Sequence, residues 1–264
     1  MRSIPGFILR MLIAALLYMI FHFGFYVGIS HVTLDNQTHL LTNFDTSIPF
    51  KPIWIIAYVS MYLIPIIPMF AKWSWGDMKR YGEALLVIYA ITFPLFLLMP
   101  SSYPWPDLSG NGLLMSFTRL IFSLDNPNNT FPSLHISMPV LVTIIYWGRN
   151  KPMSVVLLAW SILIGLSVLF VKKHYIIDIP GGVLVATAAY FLGYKYQIIT
   201  RGLYYVKDRI FSRDSGFSAG VELLPRLAGL RVRVSKVLQL KLVLKELIVH
   251  QESHSLWSHS ENNN

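Results

Sequence analysis

The stretch MSVVLLAWSILIGLSVLFV, residues 153–171, carries neither a charge nor a proline. Wound as a helix at 1.5 Å per residue, such a run is about 28 Å long, close to the roughly 30 Å hydrocarbon thickness of a bilayer. It reads as a membrane span, and the rest of the chain repeats the theme. Five further stretches qualify or nearly do: 11–29, 52–70, 84–99, 132–147 and 175–194. The fourth and sixth in chain order, 132–147 and 175–194, carry polar residues near their starts. Hydrophobic residues make up 54% of the 264-residue chain and charged residues 13%, about half the usual share of a soluble domain. Mean hydropathy is +0.52. The expected fold is an all-α integral membrane protein with six transmembrane helices.

The flanks of residues 153–171 orient it. Arg149 and Lys151 precede it, Lys72, Lys79 and Arg80 lie between the second and third spans, and Arg2 and Arg10 precede the first. The connection 30–51 offers only Lys51, and 100–131 only Arg119. Because Lys and Arg are retained on the cytoplasmic side, both termini are expected in the cytoplasm, with 30–51, 100–131 and 172–174 facing outward. The first apolar run lacks a small-x-small cleavage site and reads as an uncleaved span. Lys172 and Lys173 break the pattern. Cations at a span end can snorkel to headgroups; the alternative is that they hold an anion.

The net charge of +9 is concentrated behind the last span, where eleven basic residues run from Lys195 to Lys245. A basic segment directly after a span is the mark of a cytoplasmic flank on anionic lipid, which argues against nucleic acid. Within 234–248, Val237, Leu240, Leu244, Leu247 and Ile248 share one helical face, which suits a helix lying on the inner leaflet, with a partner-binding helix as the alternative. The expected organisation is a six-span membrane catalytic domain over 1–196, a basic amphipathic cytoplasmic tail over 197–251, and a disordered polar end over 252–264. The chain has no cysteine, which excludes disulfides, thiolate metal sites and cysteine nucleophiles. It shows no internal repeat, Gly-rich phosphate loop or zinc spacing.

Chemistry-bearing residues stand at the start of the fourth span and on either side of the sixth span's start. Asp125-Asn-Pro-Asn-Asn-Thr-Phe-Pro-Ser-Leu-His135 ends with Pro132 suited to a first helical turn and His135 about one turn in. The free N–H groups and positive dipole of such a helix start favour an anion. Val171-Lys-Lys-His174-Tyr-Ile-Ile-Asp178-Ile-Pro-Gly-Gly182 spaces His174 and Asp178 four apart, so that Asp178 can accept from the imidazole. Either a helix runs through His174 and kinks at Pro180, or the span starts there with His174 in a turn. An ionisable residue inside a span costs about 2.5–3.5 kcal/mol to insert and is a functional hypothesis by default. Two histidines, an aspartate and two lysines at one membrane face make coincidence a poor account. His22 reads instead as packing or a polar helix contact, and His31, His39, His250, His254 and His259 as solvated.

Pro-Ser-Leu-His at 132–135 and His-x-x-x-Asp at 174–178, one span apart, resemble the type 2 phosphatidic acid phosphatase superfamily over about residues 50–195. The longer strings Phe-Pro-Ser-Leu-His and Lys-x-His-Tyr-x-x-Asp are most similar to its branch related to inositol phosphorylceramide synthases. The resemblance implies a membrane enzyme without cofactor or metal that transfers or hydrolyses a lipid phosphate ester through a phosphohistidine. His174 would attack phosphorus, Asp178 would orient it, and His135 would protonate the leaving oxygen. Lys172, Lys173, Ser133 and the start of the fourth span's helix are candidates for holding the phosphoryl oxygens. The chain departs from the superfamily in having no Arg-Pro anywhere, and Ser167-Val168 where a Ser-Arg is usual. These losses fit the synthase-like branch, in which a phospho-headgroup would move between lipids. The rival readings are intramembrane serine proteolysis through Ser133, which leaves Asp178 and the lysines idle, and a non-enzymatic transporter or scaffold.

Overall fold

The computed structural model describes residues 40–71, 73–124 and 128–211, together with Thr38 and scattered positions between 9 and 24. The chain divides into two units, Met1–Leu203 and Tyr204–Asn264. In the second unit the described residues, 204–211, are helical. The expected tail helix at 234–248, the polar end at 252–264, Lys72 and residues 125–127 lie outside the described residues. Among the described residues the regular structure is helical, with two isolated bridges, Thr38 to Ser101 and Ser102 to Asn128.

The described positions between 9 and 24 are helical. His22 is buried there, its Nδ1 2.8 Å from the Tyr89 hydroxyl and its ring stacked on Tyr18, which is the polar helix contact expected of it. A short helix α1, Asn43–Ser47, starts at a capping box in which Thr42 and Asp45 bond each other's backbone N–H. Helix α2, Pro52–Phe70, alternates 3₁₀ and α turns. Pro65 and Pro68 have no N–H to give to the preceding turn, so a uniform α ladder cannot form there.

Helix α3, Trp75–Leu98, begins well before the apolar stretch expected from Ala84, because Ser74 and Asp77 form a second capping box. Helix α4, Leu113–Ser123, lies in the connection read only as an outward loop. Helix α5 spans Leu134–Trp147. Helix α6, Lys151–Phe170, is capped by Asn150 and has Pro152 in its first turn. Helix α7, Asp178–Ala189, passes into a π turn over Tyr190–Lys195, and helix α8 follows at Ile198–Phe211.

Among the described residues three helices, α2, α3 and α6, are long and apolar enough to cross a membrane, and α4 and α5 are shorter apolar helices. This marks the chain as a membrane protein. Helix α5 sits at the centre, against α6, α7 and α3. Its 14 residues amount to about 21 Å, and all but three of them are buried, on every side of the helix. Side-chain hydroxyls knit it to α6: Thr143 Oγ1 lies 3.1 Å from Ser161 Oγ, and Ser154 donates to the Thr143 carbonyl at 2.9 Å. Gly193, in the π turn, is seated so close to α3 that a Cβ would come within 2.5 Å of Ala84 Cα. Buried Glu83 of α3 accepts from the N–H groups of Ile199 and Thr200 and from the Thr200 hydroxyl, closing the start of α8 with a carboxylate.

Candidate active site

The site is assembled where α5 and α7 begin. Helix α6 ends in a Schellman turn: Lys172 takes a left-handed conformation (φ 59°), its N–H bonds the Leu169 carbonyl, and that of Lys173 bonds the Val168 carbonyl. The chain leaves this turn at His174. Of the two arrangements the sequence left open, the structure has the second. His174 lies in a turn, α7 starts at Asp178, and Pro180 falls in its first turn, where its missing N–H breaks no ladder. At the other segment Ser133 keeps an extended ψ of 119° and is the N-cap of α5. Pro132 therefore precedes the helix instead of opening it, and His135 is the second helical residue, earlier than expected.

These two starts are pressed together by glycine. A Cβ on Gly182 would lie 2.7 Å from Ile136 Cβ and 2.8 Å from the Ser133 carbonyl oxygen, and one on Gly181 would lie 2.6 Å from the Phe131 ring. The Ser133 N–H bonds the Asp178 carbonyl at 3.4 Å.

Four expected residues meet as a result. His174 Nδ1 is 3.0 Å from Asp178 Oδ2 and 2.9 Å from the Thr130 carbonyl oxygen. Both partners are acceptors, so Nδ1 carries the hydrogen and Nε2 of the neutral ring carries the lone pair. That Nε2 lies 3.1 Å from His135 Nδ1 and 3.2 Å from Ser133 Oγ. Asp178 is held in turn by the Tyr175 N–H at 2.9 Å. His135 stacks on Tyr58, with ring centroids 4.5 Å apart. Ser133, His135, His174 and Asp178 are all buried. An imidazole with an anchored N–H and a directed lone pair can act as nucleophile or base, with a second imidazole alongside to carry a proton.

The two lysines each have partners of their own. Lys172 donates to the Asp45 carbonyl at 2.7 Å; burial lowers its pKa, with the nearby Asp45 charge opposing the shift. Lys173 is buried with its ammonium over the Phe122 ring, 4.0 Å from the centroid, and 5.6 Å from that of Trp105. The Tyr103 ring lies tilted against that of Tyr175, centroids 4.7 Å apart, and its hydroxyl is pushed up to about 12, first by burial and then by the charges of Asp45 and Tyr175. Ser167, which stands before Val168 where the superfamily that the sequence resembles usually has Ser-Arg, is buried and bonds back to the Ile164 carbonyl.

Sequence reasoning did not find three supports. Asp45 Oδ1 accepts from the Ile176 N–H at 2.8 Å, pinning the turn that carries His174. The Thr42-x-x-Asp45 pattern signals a helix start, but no local pattern pairs Asp45 with Ile176. Thr130 acts through its backbone carbonyl, which leaves no trace in residue type. Ser101 braces Thr130 and Phe131 through its hydroxyl, at 2.7 and 3.1 Å.

The sequence profile of the PAP2 superfamily matches residues 11–192. No curated protein and no solved structure matches the chain.

Proposed function

Since the chain belongs to the PAP2 superfamily, whose members are phosphoesterases, we propose that it is a membrane phosphatase or phosphotransferase in which His174, His135 and Asp178 process a lipid phosphate ester. The observation that carries this reading is the His174 ring, its Nδ1 hydrogen shared between Asp178 and Thr130 and its Nε2 turned to His135 and Ser133.

In the first step the Nε2 lone pair forms a bond to phosphorus, the phosphorus–oxygen bond to the leaving group breaks, and His135 gives that oxygen a proton. In the second, a hydroxyl attacks phosphorus and its proton passes to His135. The phosphorus–nitrogen bond breaks and its electron pair returns to Nε2. Water as acceptor makes a phosphatase and an alcohol a transferase. Asp178 holds the tautomer and stabilises the ring as it becomes cationic. Ser133 supplies a hydroxyl to a phosphoryl oxygen. No step calls for a metal. Six spans, cytoplasmic termini and an outward-facing site are supported by the Lys and Arg distribution. The synthase-like branch, with a phospho-headgroup moving between lipids, is supported by the strings around His135 and His174 and by the missing Arg-Pro.

A second reading has a specific observation in its favour. Ser133 Oγ, His174 and Asp178 also stand in the order of a Ser-His-Asp triad, which would make Ser133 the nucleophile of acyl transfer. The deciding experiment uses lipid carrying labelled phosphate, with and without inositol or another alcohol. His174→Ala is expected to abolish turnover and an acid-labile, base-stable phosphoryl-protein, Asp178→Asn to lose most of the rate, and chelators to change nothing. A folded His174→Ala protein with wild-type turnover overturns the mechanism. Labelling of Ser133 by a fluorophosphonate, with no phosphate release, establishes the triad instead.

A further inference from the structure

Among the described residues, three buried side-chain polar atoms have no hydrogen-bond partner: His135 Nε2, Asp178 Oδ1 and Asn129 Nδ2. Buried polar groups are nearly always partnered, and leaving one unmade costs about 1–3 kcal/mol. Two of the three belong to the histidine–aspartate cluster. The third belongs to a residue with no part in the mechanism above.

Asn129 is 6% exposed and has a left-handed backbone, φ 66°. That conformation by itself accounts for an asparagine, which tolerates it better than most residues. It does not account for the idle amide, since glycine would take the same backbone and bury no donor. The residues on either side of the amide are tied to the fold. Asn128 is bridged to Ser102, Thr130 and Phe131 are bonded to Ser101, and the Thr130 carbonyl holds His174 Nδ1. Asn129 is thus fixed one residue from the group that orients the imidazole.

The site also needs donors. The Arg-Pro motif is absent and Ser167 is bonded within its own helix. Lys172 is engaged by Asp45, and Lys173 stands over Phe122 and Trp105. We propose that Asn129 is a phosphate-holding residue, its buried Nδ2 donating to a phosphoryl oxygen alongside Ser133 Oγ. The assignment rests on the phosphoryl-transfer reading and gives that reading a neutral donor where the superfamily commonly has cations.

The test uses the full-length protein in detergent, with orthovanadate as the phosphoryl mimic and the melting transition as the readout. Wild-type protein is expected to be stabilised by vanadate. Asn129→Gly keeps the left-handed backbone and removes the side chain with its amide donor, so it is expected to weaken vanadate by about tenfold to a hundredfold, the range of a hydrogen bond to a charged group. Asn129→Asp, equally compatible with the backbone, replaces the donor with a repelling carboxylate and is expected to weaken it further. Either variant decides if the other fails to fold. Vanadate binding at the wild-type constant in a folded variant overturns the assignment, as does a wild-type protein that binds none. If vanadate binding depends on Asn129 but no lipid phosphate is turned over, the phosphoryl-transfer reading falls and the anion site stands. If turnover depends on His174 and vanadate ignores Asn129, the reverse holds.

Discussion

Asp45 satisfies three donors at once: the Ile176 N–H on one oxygen, and the N–H and hydroxyl of Thr42 on the other. Truncating it strips two part-buried backbone donors, the Thr42 and Ile176 N–H groups, of their acceptor and frees the turn that carries His174. Asp45→Ala is expected to lower stability by about 1–3 kcal/mol and to lower turnover, read by thermal melting and by the initial rate at saturating substrate. Asp45→Asn keeps an oxygen for Ile176 and is expected to fall between. At this scale the sequence was legible where chemistry is carried by residue type. His135, Ser133, His174 and Asp178 were identified, and the structure brings them together. The i,i+4 spacing of His174 and Asp178 gave the right contact through a turn followed by a helix start, not along one helix. The lysines were found as anomalies, but their partners, Asp45 and the rings of Phe122 and Trp105, lie far away in sequence and could not be read from it.

Among the elements, apolar runs located the helix bodies while side-chain bonding set their ends. Trp75 is the start of α3 because Ser74 and Asp77 cap it, a signal that hydropathy does not carry. Helix α4 escaped notice because it is short and sits among turn-forming residues, although its inner face, through Phe122, floors Lys173. The end of α7 depends on α3 in two ways, through Gly193 against Ala84 and through Glu83 at the start of α8. Glu83→Ala leaves the Ile199 and Thr200 N–H groups without their acceptor. It is expected to speed amide hydrogen exchange at those two residues by roughly tenfold or more, the equivalent of about 1.4 kcal/mol of local opening, with α5 unaffected. Unchanged exchange at Ile199 would mean that the carboxylate contributes nothing to holding α8.

For the molecule as a whole, composition was enough to say that lipid is the solvent for much of it, and among the described residues three helices are long and apolar enough to bear that out. Sidedness is read from Lys and Arg alone, and it sets the side from which substrate arrives. Reporters fused after Trp147 and after Asn264 are expected to report cytoplasm, and one inserted in 100–131 the opposite side; an external signal at either of the first two would move the site to the inner leaflet. The contact between Asp45 and Ile176 joins residues 131 positions apart. Asp45 is synthesised well ahead of His174 and Ile176, so its carboxylate cannot take up this bond until the turn that carries them has emerged. Thr130, Ser133 and His135 are in place ahead of it as well. On the proposed chemistry the centre is complete only once the segment carrying His174 and Asp178 has joined it, and a chain arrested before that segment is expected to be inert toward lipid phosphates.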